Sequence, residues 1–136
     1  MLQNEHKDFI KEAREEYKKI GYVECPAFSG ERIYFNRHGF RHLIWKDKDY
    51  REISEQVYRL SLLKYAPYIL SNAKEFNDFN KNKVFKYQDN LVNFWSFADV
   101  VDNMKIIVVV RELAGKGKHF FSIMTKGKHK SPLRDL

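Results

Sequence analysis

The first twenty residues of the chain combine apolar and charged positions with the period of an α-helix. The apolar side chains that recur at three- and four-residue spacing are Phe9, Ile10, Ala13, Tyr17 and Ile20. Acids and bases alternate on the remaining positions, so the pattern predicts a surface helix over residues 2–20 that ends at Gly21, a residue type common just after helices. We expect residues 22–28 to be irregular and residues 32–35, which favour β structure, to form a short strand.

The stretch YFNRHGFRHLIWK contains the doublet Arg-His twice, at 37–38 and at 41–42. Asn36 stands where an N-cap would open a helix, although Gly39 weakens such a helix by about 1 kcal/mol. Residues four apart lie on one helical face, so His38 is expected next to His42, and Arg37 next to Arg41.

A further helix is predicted over residues 50–65, where Ile53, Val57, Leu60 and Leu63 recur at inward-facing spacing. Pro67 interrupts this pattern and is expected to begin a short additional turn.

The second half of the chain is rich in aromatic and β-branched residues that turn signals divide into short runs. The predicted strands are residues 84–88, 91–101, 104–112 and 118–126. We therefore expect a single α+β domain over residues 1–136, in which N-terminal helices pack on one face of a C-terminal antiparallel meander of three or four strands. Residues 127–136 are expected to form a basic tail of low order.

Strand register follows from sorting the charges between the two faces of the sheet. If AGKG is a four-residue hairpin loop, Leu113 lies opposite Lys118, and one face is largely apolar. That face carries Met104, Ile106, Val108, Val110, Phe121 and Ile123, with His119 at its end. The opposite face is then basic, hydroxyl-bearing and partly aromatic. It carries Lys105, Ile107, Val109, Arg111, Lys118, Phe120, Ser122, Met124 and Lys126, and pairing Val101 with Met104 adds Phe94 and Ser96.

The net charge and the cysteine content of the chain indicate which classes of partner and cellular setting to expect. Lysine and arginine number 25 against 18 acids, for a net charge of +7, which favours a polyanion such as nucleic acid. The single Cys25 allows no internal disulfide and is expected to be inert packing in a reducing, cytoplasmic setting. No signal peptide or transmembrane segment is expected, and neither is a membrane partner.

The histidine doublets are the strongest candidates for chemistry. The HxxxH spacing of His38 and His42 lacks the internal Glu of a zinc protease, and arginines repel a cation, so we expect no metal and no cofactor. Arg59 follows Glu55 by four residues and is interpreted as an ordinary helical ion pair. A site of His, Arg, Lys and Ser suits metal-free cleavage of RNA through its own 2′ hydroxyl, which needs a base, an acid and cations.

The same segments resemble a known family. YFNRHGFRHLIWK, followed by LLKYAPYIL, KIIVVVREL and HFFSIM, is similar to the BECR superfamily of barnase-, EndoU-, colicin- and RelE-like nucleases, in the branch of phages and mobile elements. The resemblance implies a helical histidine, His42 or His38, grouped with Arg111 and Ser122 around one RNA-cleaving site. It also implies a toxin or a role in conflict between phage and host, where an antitoxin or immunity protein is a possible partner.

These observations predict a metal-independent endoribonuclease. His38 or His42 is its acid or base, and Arg111, with Arg41, stabilises phosphate charge. Ser122 is expected to orient the phosphate or the 2′ hydroxyl. Other predicted RNA contacts are Arg37, Lys105, Lys118, Phe94 and Phe120. The alternative is a noncatalytic RNA-binding module that uses the aromatic and basic sheet face. The catalytic hypothesis requires Arg111 and Ser122 on one face, with a histidine close enough to Arg111 for one phosphate to bridge them.

Overall fold

The computed structural model describes residues 3–46, 48–84, 91–113 and 115–126. Within these residues the helices are Gln3–Ile20 (α1), Arg37–Ile44 (α2), Ile53–Leu62 (α3) and Ala66–Asn72 (α4). The strands are Tyr22–Cys25 (β1), Glu31–Tyr34 (β2), Trp45–Lys46 (β3), Asp49–Tyr50 (β4), Asp78–Val84 (β5), Leu91–Val101 (β6), Met104–Leu113 (β7) and Lys118–Thr125 (β8). The predicted α+β class is confirmed.

The large sheet is mixed, with strand order β1-β2-β8-β7-β6-β5. Strands β6, β7 and β8 form the predicted antiparallel succession. Strand β5 also pairs antiparallel with β6, but it lies before the predicted strand 84–88, and β2 joins the edge of β8 in parallel through Ile33 and Tyr34. The expectation of a purely antiparallel meander of three or four strands was therefore wrong. The segment 22–28, expected to be irregular, supplies β1, which pairs with β2. Part of the predicted strand 84–88, and the whole tail 127–136, lie outside the described residues.

Strands β7 and β8 follow the predicted register only at one end. Val109 lies opposite Ser122 as expected, but a bulge shifts the pairing by one residue, so Arg111 faces His119 and not Phe120. A bulge places two residues of one strand against one of its partner. Phe121 and His119 consequently lie on the face of Arg111 and Ser122, whereas Phe120 lies on the opposite face.

One face of the sheet packs against the helices. Ile106, Val108 and Val110 join buried residues of α2, α3 and α4 in the main core. The other face carries a second buried cluster composed of Val92, Phe94, Ile107, Val109, Phe121 and Met124. The prediction of a basic outer surface there was wrong because apolar side chains dominate that face.

Helix α2 lies close to β8. A Cβ on Gly39 would approach the carbonyl oxygen of Phe120 to 2.3 Å, so only glycine permits this contact. Leu60 in α3 and Leu63 directly after it are buried as predicted, but Ile53 is exposed and Gln56 is buried instead. Arg59 is also fully buried, and this side chain proves central to the candidate site.

Candidate functional site

Asn36 begins α2 as the predicted N-cap. Its side-chain oxygen accepts hydrogen bonds from the backbone N–H groups of His38 (3.1 Å) and Gly39 (3.4 Å). His38 and His42 lie one turn apart, and each ring contacts a β8 side chain on the sheet face that carries Arg111. His38 lies 5.7 Å from the ring of His119, and His42 stacks at 4.0 Å on Phe121.

Arg111 anchors the sheet side of this cluster. Its Nε donates a 3.0 Å hydrogen bond to His119 Nε2, and its Cζ lies 4.4 Å from the ring centre of Phe121. Because guanidinium has no acceptor, His119 must be neutral, with its proton on Nδ1. Burial, followed by the charge of Arg111, lowers the pKa of His119 to about 3. His119 is therefore a fixed acceptor for Arg111.

His42 is held in the same way. Arg51 donates from Nη2 to His42 Nε2 (3.2 Å) and from Nε to the His42 carbonyl (2.9 Å). Gln56 in turn donates to the Arg51 carbonyl (2.7 Å), which ties α3 to this clamp. Burial, and then the charge of Arg51, holds the pKa of His42 well below its usual value. With Nε2 occupied and the ring covered by Phe121, His42 is suited to positioning α2.

His38 is the histidine that reaches the surface. It is half-buried, and burial followed by the charges of Arg111, Arg37 and Lys116 lowers its pKa below the usual value. Arg37 and Lys116 are exposed. We call His38, Arg37, Arg111, Lys116 and His119 the mouth cluster. It combines two imidazoles, both with a lowered pKa, with three positive charges.

Ser122 lies on the face of Arg111, as predicted, but it is fully buried. Its Oγ accepts a 2.6 Å hydrogen bond from Arg59 Nη1, and Arg59 Nε also donates to Glu55 at 2.8 Å. The predicted ion pair of Arg59 is thus confirmed, and Ser122 is a second acceptor for the same guanidinium. The catalytic role predicted for Ser122 is therefore replaced by a structural one, because a side chain with no exposed surface cannot orient a substrate.

Several predicted RNA contacts lie elsewhere. Lys118 projects to the core side over Trp95 and pairs with Glu31 (2.8 Å) and Glu112 (3.3 Å), which neutralise it. Phe120 and Phe94 have no exposed surface on which a base could stack. The predicted RNA contact of Lys118 fails because the bulge in β8 turns this side chain to the core face. The predicted contacts of Phe120 and Phe94 fail because both rings are buried.

Lys105 is the second residue of β7 and is exposed, six positions from Arg111. That spacing corresponds to about 20 Å along a strand, too far to share one phosphate. Arg41 is exposed and lies 4.9 Å from the Trp45 ring centre, on the same helix as His38.

Two exposed tyrosines next to the mouth cluster are absent from the predicted site. Tyr34 pairs in register with His119, so both side chains lie on one face, and Tyr22 lies beside Tyr34 with ring centres 5.8 Å apart. Arg32 covers the Tyr22 ring at 4.3 Å. Tyr22 and Tyr34 retain 41% and 43% of their surface, enough for a base to stack on them.

Sequence reasoning also missed His119, Arg51 and Lys116. A signal existed for His119, since a histidine within a strand of apolar residues indicates a buried, partnered ring. No signal existed for Arg51, because its clamp on His42 depends on how two helices pack.

No group of three or more His, Cys, Asp or Glu side chains within the described residues is arranged to hold a metal ion. The helices in that part of the chain are also too short or too polar to span a bilayer. Comparisons with protein-family models, curated proteins and solved structures found no match.

Proposed function

We propose that the protein is a metal-independent endoribonuclease that cleaves RNA by attack of the 2′ hydroxyl on the adjacent phosphate. The observation that carries this proposal is His38, a half-buried imidazole with a lowered pKa among Arg37, Lys116 and Arg111. A neutral imidazole at neutral pH can accept the 2′-hydroxyl proton, and the cations can hold the charge that develops on the phosphorane.

Each residue then has a distinct role. His38 is the base, and Arg37 and Lys116 contact the phosphate from the surface. Arg111 contributes its charge from below while it donates to His119. Lys116 also carries a proton that can pass to the leaving 5′ oxygen. His42 and Ser122 position this arrangement, through Arg51 and Arg59, without touching RNA.

The proposed activity is also the one that the resemblance to BECR nucleases implies. A small basic ribonuclease of this kind suits a cytoplasmic toxin or a phage–host conflict protein, with an antitoxin or immunity protein as its inhibitor. The Tyr22–Tyr34 pair beside His119 would stack the bases next to the cleaved bond.

The test is cleavage of total RNA in excess EDTA. We expect activity to persist and to leave 2′,3′-cyclic phosphate or 3′-phosphate ends, and 2′-O-methyl substitution at the cut nucleotide should abolish it. His38→Gln should lower kcat/KM at least tenfold at unchanged melting temperature, since a general base contributes about 10² or more. Lys64→Gln, an exposed control, should be fully active. Activity that disappears in EDTA and returns with Mg²⁺, or a fully active His38→Gln variant, would refute the mechanism.

A noncatalytic RNA-binding module is the second candidate, and the exposed Tyr22–Tyr34 pair with Arg32 favours it. Binding of RNA without any product in the same assay supports this candidate over the nuclease.

A further inference from the structure

Four basic residues of α1 lie on one face of the helix, apart from its acidic residues. Lys7, Lys11, Arg14 and Lys18 follow one another at spacings of four, three and four residues, and all are exposed. Side chains at this spacing lie on one line along a helix. The acidic side chains of α1 fall outside that line. We call these four residues the α1 basic stripe.

The C-terminal half of the stripe, Arg14 and Lys18, forms one wall of a cleft between α1 and α2. The cleft has a volume of about 530 Å³, within the roughly 300–1,000 Å³ range of small-ligand sites. Its aromatic and apolar lining consists of Tyr17, Phe35, Phe40, Ile44 and Trp45. Its remaining lining consists of Arg14, Lys18, Arg37, Arg41 and His38.

This lining contains four permanent cations and no acid, so it selects for an anion. Two of the cations also lie over rings, Arg14 at 5.1 Å from Phe40 and Arg41 at 4.9 Å from Trp45. A ligand with both a flat ring and a phosphate matches this combination, because the ring can stack while the phosphate pairs with the arginines.

The cleft and the mouth cluster share His38 and Arg37. We propose that the α1–α2 cleft binds single-stranded RNA next to the cut site, with an unpaired base stacked on the exposed Arg41 guanidinium, which lies against Trp45, and the phosphates on Arg14 and Lys18. The rest of the α1 basic stripe continues the path of the strand. The proposal rests on the proposed nuclease function for the position of the cut. A single strand is the occupant because only an unpaired base presents its face to a flat side chain such as the guanidinium of Arg41.

The experiment measures binding separately from cleavage. Wild-type protein and two double variants are titrated with a fluorescent 2′-O-methyl oligonucleotide, which cannot be cut, at several salt concentrations. Arg14→Gln/Lys18→Gln should weaken binding at least about tenfold and reduce the salt slope by about 1.4, since each single-strand phosphate contact contributes about 0.7. Lys19→Gln/Lys64→Gln removes the same charge outside the cleft and should bind as wild type.

Trp45 supplies an internal probe. Of the two tryptophans, Trp45 lines the cleft and Trp95 is buried in the main core. RNA should quench the tryptophan fluorescence of the wild type, and Trp45→Phe should remove that response. Arg41→Gln changes the opposite wall and gives a second measurement of affinity if the double variant folds poorly.

The outcomes separate the two proposals. If the two double variants bind the oligonucleotide with equal affinity, the proposed role of the cleft is overturned, even if RNA is cleaved. An equal loss of affinity for duplex RNA of the same sequence also overturns it, because the stripe would then bind any polyanion. A selective loss in Arg14→Gln/Lys18→Gln without cleavage by any variant supports the cleft and refutes the nuclease.

Discussion

Replacing Gly39 by alanine tests whether α2 is packed against β8 as closely as the structure shows. A Cβ at this position would lie 2.3 Å from the Phe120 carbonyl oxygen and 2.7 Å from the Tyr17 hydroxyl. Side-chain carbons do not approach other atoms within 3.0 Å, so α2 must retreat from β8 by the better part of an ångström. The nearest atom belongs to the backbone of a buried strand, which cannot rotate away.

The expected change in the free energy of unfolding is opposite in sign to the change that helix propensity alone predicts. In an exposed helix, Gly→Ala stabilises by about 1 kcal/mol. Overpacking costs about 1–3 kcal/mol, and the retreat also disturbs the 2.6 Å hydrogen bond from the Tyr17 hydroxyl to the Asn36 carbonyl, worth about 1 kcal/mol. We therefore expect Gly39→Ala to lower the free energy of unfolding by about 1–3 kcal/mol.

Urea denaturation of the wild type and the variant measures this difference. Ser61→Ala, at an exposed position of α3, is the matched control and should change stability by less than about 0.5 kcal/mol. Because the retreat also moves His38, cleavage should fall at temperatures where the variant is still folded. A Gly39→Ala variant as stable as the wild type would refute the close packing of α2 on β8.

Three further predictions concern Ser122, His119 and His38. Ser122→Ala removes the acceptor of Arg59 Nη1 and should cost about 1.5–3 kcal/mol of unfolding free energy in urea, as for hydrogen bonds to charged groups; a neutral effect would contradict this pairing. His119 stays neutral in the folded protein down to a pKa of about 3, whereas the unfolded chain binds its proton near pH 6.5. Stability is therefore lost as pH falls from 6.5 towards 3, at about 1.4 kcal/mol per pH unit for each such histidine, and His119→Gln should flatten that slope. Since burial lowers the pKa of His38, kcat/KM should rise with pH through a value below 6.5 and then level off; an activity optimum on the acidic side of that value would exclude His38 as the base.

Local sequence determined the helices and the tight turns of this protein. The predicted first helix corresponds to α1, which ends at Ile20 before Gly21 in a left-handed conformation. Asn36 caps α2 as expected, and the pairing of Val101 with Met104 across a turn with positive φ at both residues was also predicted. These features depend on a few neighbouring residues, whose preferences can be read directly from the chain.

Longer-range pairing was decided by the tertiary structure. The order of β-prone segments does not reveal that β2 adds in parallel to β8, because the partners are more than eighty residues apart. The bulge in β8 is also hidden from a charge-sorting argument, since it lets Phe120 enter the core while Phe121 lies under His42 and Arg111. One inserted residue therefore reversed the predicted faces of Phe120 and His119.

The sequence by itself established that His38 and His42 share a helical face, because that follows from the period of the α-helix. It could not distinguish them, since their difference comes from what covers the helix. Arg51 and Phe121 enclose His42, whereas His38 lies at the open end of the same face among Arg37 and Lys116. Burial and neighbouring charge are properties of the packed chain, so only the tertiary structure separates a positioning histidine from a candidate base.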